Sequence, residues 1–68
     1  MDVQGNVARY VQSHGIMQKF LVEKTGMKKA KVSMIMNSKQ KMTVDDFAKF
    51  CIALGKQPND FFDLEEES

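Results

Sequence analysis

Gly26 separates two apolar patterns, and what lies on either side of it narrows the fold more than any other feature of the chain. N-terminal to it, Met17, Leu21 and Thr25 recur at i, i+4, i+8, the spacing that puts side chains on one helical face. C-terminal to it, Val32, Ile35 and Met36 fall at i, i+3, i+4 and form an inner face, leaving Ala30, Ser33, Met34 and Asn37 on the opposite side. A glycine just past a helical run suits the left-handed conformation in which helices often end, and lets the chain turn sharply. The stretch from Gln18 to Asn37 therefore reads as two short helices joined by a tight turn, a helix-turn-helix.

The second of these helices breaks a local rule. Lys28, Lys29 and Lys31 crowd its first turn, where the helix macrodipole is positive and acidic residues would be favoured. Such violations tend to sit at functional sites, and a row of phosphates would turn three unfavourable charges into the main attraction. The formal net charge is only +1, but the charges are segregated: six lysines and no acid lie between Lys24 and Val44, whereas Asp60, Asp63, Glu65, Glu66 and Glu67 follow Lys56. Lysines alone would equally describe a solvated face. Their place on this motif turns the reading toward a DNA-binding helix.

The spacing of Gln18, Leu21, Val22, Gly26, Val32, Ser33, Ile35 and Asn37 resembles the Cro and lambda-repressor type of helix-turn-helix family, also called XRE-like. The likeness runs from about residue 7 to 62: Lys39, Lys41 and Thr43, then Phe47, Phe50, Leu54 and Gly55, fit the loop and fourth helix of that fold, and Phe61 and Phe62 fit its short fifth helix. It implies an all-α, compact five-helix lambda-repressor-like domain. Four positions depart from the family. Val11 and Met36 stand where many relatives pair an arginine with a glutamate; both are apolar, so no charge is stranded, and the two are expected to pack near each other. Val22 stands where relatives commonly have alanine, and Ser38 where they often have glycine.

The rest of the chain fits one small helical domain over residues 1–68, with the motif at 18–37 and an acidic tail at 63–68. A chain of 68 residues buries only about 60% of its unfolded surface on folding, so a partner subunit would help. Val3, Val7, Tyr10 and Val11 predict an amphipathic first helix with Gln4, Arg9 and Gln12 outside, weakened at Gly5 and closed by His14 and Gly15. Thr43 and Asp46 resemble a capping box, and Phe47, Phe50, Cys51 and Leu54 form the inner stripe of a helix ending at Gly55. Pro58 suits the first position of a last short helix. Phe61 and Phe62 diverge by about 100° on a helix, so either one is left for a neighbour or both are buried.

No apolar run approaches a membrane span, no signal peptide is visible, and the lone Cys51 fits a reducing compartment, so a cytoplasmic protein is expected, and the family resemblance implies a bacterial or phage-encoded one. A lone His14 with no ligand partner at the right spacing argues against zinc. Nothing resembles a paired acid and base, an activated nucleophile, a phosphate-binding glycine loop or a cofactor signature, so no catalytic residue, metal, cofactor or small-molecule ligand is expected.

Contact types then assign roles. Gln18, Lys28, Lys31, Asn37, Lys39 and Lys41, at the edges of the motif, are candidates for phosphate contacts that position without reading sequence. Lys29 can donate to guanine, Ser33 can reach either kind of partner, and Ala30 and Met34 offer apolar contact to thymine methyls, which makes these four the candidates for base readout. Met34 replaces the polar side chain of many relatives, and an exposed methionine with no DNA role is its other reading. The expected partner is double-stranded DNA, bound by a homodimer on half-sites roughly 34 Å apart, with Phe62 and Leu64 as candidate dimer contacts. By resemblance the role is that of a transcriptional regulator, most simply a phage- or mobile-element-type repressor on an operator. The alternative is an adaptor or antitoxin-like module using the same fold, docking through Phe20, Met34 and Phe62.

Overall fold

In a computed structural model, which describes residues 2–62, the chain forms α1 (Val3–Ser13), α2 (Gln18–Thr25), α3 (Lys29–Met36) and α4 (Val44–Leu54), followed by a 3-10 turn (Pro58–Phe61). The described residues contain no strand, and the all-α expectation holds. The expected fifth helix is this 3-10 turn. Four residues opened by a proline close only i to i+3 bonds, here from the N–H of Asp60 to the carbonyl of Gln57 and from Phe62 to Asn59.

The helix ends follow from local chemistry. The Asp2 carboxylate caps α1 by accepting from the N–H of Gly5 at 2.9 Å. A Cβ at Gly5 would lie 2.2 Å from Asp2 Oδ2, so the glycine that weakens the first turn also makes room for its cap. At α4 the expected capping box is formed: Thr43 Oγ1 accepts from the N–H of Asp46 at 3.0 Å, and Asp46 Oδ2 accepts from the N–H of Thr43 at 3.1 Å.

Val7, Val11, Leu21, Met27, Val32, Ile35, Phe50, Cys51 and Phe61 make the buried core. Helix α2 packs on α3 and α4, α1 packs on α3, and the 3-10 turn closes over α1 and α4. Phe61 enters this core edge-on to Tyr10 and Phe47, with ring centroids 5.6 and 6.0 Å away, while Phe62 stays 36% exposed. The adjacent phenylalanines thus divide between core and surface. Asn6 Nδ2 pins the turn by donating to the carbonyl of Phe61 at 2.7 Å.

Two expectations fail at the level of single residues. Met17, expected to share one helical face with Leu21 and Thr25, is 70% exposed while Leu21 is fully buried. It is the N-cap, with extended backbone (φ −80°, ψ 145°), so helical periodicity does not govern its side chain; Ile16 packs against the core instead. Gln4, expected on the outside of α1, is half-buried. It shares the stripe of Val7 and Val11 at i, i+3, i+7, and its polar head is satisfied there by other parts of the chain. Val11 and Met36 line a common hollow of about 310 Å³ between α1 and the end of α3. Leu64 and the rest of the acidic tail lie outside the described residues.

Candidate nucleic-acid interface

The geometry of the motif is set at the turn between α2 and α3. Gly26 takes φ +74°, and its N–H closes α2 on the carbonyl of Val22 at 2.9 Å. Thr25 holds the turn from inside: Oγ1 donates to the carbonyl of Leu21 at 2.6 Å and accepts from the N–H of Met27 at 3.1 Å. Met27 is buried just below. Sequence reasoning missed this methionine because it lies in the turn, outside both helical periodicities.

Helix α3 is anchored by Val32 and Ile35, both fully buried. On a helical wheel Lys29, Ser33, Asn37, Ala30 and Met34 then fall on one arc of about 140°, facing away from the core. Lys29, Ala30, Met34 and Asn37 are exposed and Ser33 is half-buried. Neither Lys28, the N-cap, nor any acidic residue satisfies the first turn of α3, which leaves its backbone N–H groups and two exposed lysines, Lys28 and Lys29, at the same end. The four residues suggested for base readout therefore share one accessible surface.

Lys31 is placed differently from its neighbours. It points to the flank of α3, where its Nζ lies 3.1 Å from Asp46 Oδ1 on α4. Asp46 is buried, and Lys31 keeps a 41% exposed side chain. Burial alone would raise the Asp46 pKa, but the Thr43 N–H, the Lys31 ammonium and the Thr43 hydroxyl outweigh it and hold the carboxyl below its ordinary value. Lys31 thereby ties α3 to the capping box of α4. The sequence carries no signal for this pair, since the partners belong to different helices.

The loop after α3 is held from α1. Gln4 Nε2 donates to the carbonyls of Ile35 (2.9 Å) and Gln40 (2.8 Å), and its Oε1 accepts from the N–H of Met42 (3.0 Å). This fixes the path of the segment that carries Lys39 and Lys41, both exposed. The loop begins with Ser38 in the left-handed region (φ +60°), where its N–H bonds to Ile35 and that of Lys39 bonds to Met34, a Schellman-type ending with serine in the glycine position. Asn37 Nδ2 donates back to the Ser33 carbonyl at 2.8 Å. Gln18 and Asn37, from opposite ends of the motif, line the same hollow.

Phe62, suggested as a dimer contact, is exposed beside an apolar hollow of about 390 Å³ that it lines with Val3, Met42, Val44 and Phe47. Cys51 is buried among core side chains, and burial together with the Asp60 carboxylate pushes its thiol pKa up. Among the described residues, no group of three or more His, Cys, Asp or Glu side chains could hold a metal ion, and no helix is long and apolar enough to cross a membrane.

The family model for Cro/C1-type HTH DNA-binding domains matches residues 6–67, and the chain belongs to that family as a DNA-binding regulator. Comparison with curated proteins and with solved structures produced no match.

Proposed function

We propose that the chain is a sequence-specific regulator of transcription, a repressor of the phage or mobile-element kind, that occupies an operator as a homodimer in the cytoplasm of a bacterium. One observation carries this reading: the outer arc of α3 is accessible along its length and begins in an uncapped, lysine-rich first turn. In such a docking the N-terminal part of the second motif helix enters the major groove and the first helix crosses the backbone.

The roles divide by chemistry. Lys29 donates to guanine O6 or N7, Ser33 reaches either kind of partner, and Ala30 and Met34 meet thymine methyls. Lys28, Lys39 and Lys41 neutralise phosphates, with Gln18 and Asn37 adding neutral contacts from the two ends of the motif. Lys31 can offer a phosphate its exposed side while its Asp46 bond sets the direction from which it does so. Phe62 and Leu64 are the dimer contacts proposed from sequence.

Fluorescence-anisotropy binding to random duplex DNA at two salt concentrations tests the reading, for the wild type and for a Lys28→Glu, Lys39→Glu double variant. Lys31 is left intact because a glutamate there would face the buried Asp46 carboxylate. Binding that weakens steeply with salt and is lost in the folded variant is expected, since each neutralised phosphate adds about 0.9 to the log–log salt slope. A folded wild type with no salt-sensitive binding would overturn the reading, in favour of the adaptor or antitoxin-like module.

A further inference from the structure

Helix α4 carries an apolar stripe on the side that the core does not use. Val44 is 86% and Ile52 79% exposed, and Ala48 between them is exposed as well. Their i, i+4, i+8 spacing puts them on one line about 12 Å long. Asp45 and Lys49 border the stripe along one edge, with Lys49 Nζ 3.6 Å from Asp45 Oδ2 and the Asp45 side chain 82% exposed. At its N-terminal end Val44 also lines the hollow that holds Phe62, so the apolar surface continues around the helix.

We propose that this face binds a second copy of the chain, with the two α4 helices antiparallel about a two-fold axis at Ala48. The inference rests on the homodimer reading above and deepens it by assigning the contact. The stripe is its own complement: Val44 meets Ile52 of the second copy at both ends, and the alanine at the centre lets the backbones approach. The charges match by the same symmetry. A two-fold axis perpendicular to both helices sets each flank against the same flank of the copy, so Asp45 lies within reach of Lys49 of the copy, twice. A foreign partner would have no reason to require such self-complementarity. Asp46 and Phe50 point into the protomer, so the face can be altered without touching the core or the Lys31 pair.

Sedimentation equilibrium over a concentration series tests it on the full chain, with circular dichroism to verify folding. The wild type is expected to dimerise, and Ile52→Asp to weaken association roughly tenfold or more while leaving helicity unchanged. Asp45→Lys and Lys49→Asp are each expected to self-associate less than wild type, and an equimolar mixture of the two to associate better than either alone, because only the mixture restores both cross-pairs. If Ile52→Asp dimerises like the wild type and Phe62→Ser does not, the homodimer stands and the α4 face is wrong. If the wild type stays monomeric at every concentration, both fall, and anisotropy measurements decide DNA binding separately.

Discussion

Ser38 holds a left-handed backbone (φ +60°) at the end of α3, a conformation that costs a residue with a Cβ roughly 1 kcal/mol and glycine little. Neither its N–H bond to Ile35 nor the bond from Lys39 to Met34 needs a side chain at this position. Replacing it by glycine should therefore stabilise the protein, by up to about 0.5 kcal/mol once the added freedom of the unfolded chain is subtracted. Urea denaturation of Ser38→Gly measures this, and a destabilised variant would mean that the serine side chain does something the backbone geometry does not show. Gly5 is the converse case. It is right-handed within α1, yet alanine there would collide with the Asp2 cap.

At the scale of elements, the position of α3 depends on two polar ties from outside the motif. One is Gln4, whose amide satisfies the end of α3 and the loop beyond it. Gln4→Leu keeps the apolar stem but leaves two carbonyls and the Met42 N–H without this partner, which is expected to cost about 1–3 kcal/mol. Because the loss is local, amide exchange at Met42 should accelerate more than exchange in the core of α4. DNA affinity should fall with it, through Lys39 and Lys41. Equal acceleration everywhere would show that Gln4 supports the whole fold and not the loop. The other tie is Lys31 to Asp46, which holds α3 against α4.

For the whole molecule, the Asp46 carboxylate makes stability depend on pH: against the cost of its burial it is held by the Thr43 N–H and then by Lys31 and the Thr43 hydroxyl. The Asp46 pKa is lower in the folded state than its ordinary value, so the folded state binds the proton less well than the unfolded chain. The stabilisation is complete above the ordinary carboxylate range near pH 4 and is lost as pH falls through the lower folded value. Wild type should lose stability on acidification in that window. Asp46→Asn should be less stable at neutral pH by about 1–3 kcal/mol and flatter in its acid dependence. Parallel acid profiles for the two proteins, from chemical denaturation at pH 3 to 7, would assign the effect to other carboxylates.

Local spacing by itself determined that there are short helices with a sharp turn at Gly26, that Val32 and Ile35 face inward, that Thr43 caps α4, and that a lysine-rich first turn opens α3. Those features depend on residues within a turn or two of one another, where periodicity and capping chemistry operate. Tertiary structure alone decided the burial of Met27, the backbone partners of Gln4, the choice of Phe61 over Phe62 for the core, and the Lys31–Asp46 pair. Each depends on which surface of another element happens to face the side chain. A polar or non-helical residue enters such a place only when distant backbone or charge is there to satisfy it, and no spacing along the chain encodes that.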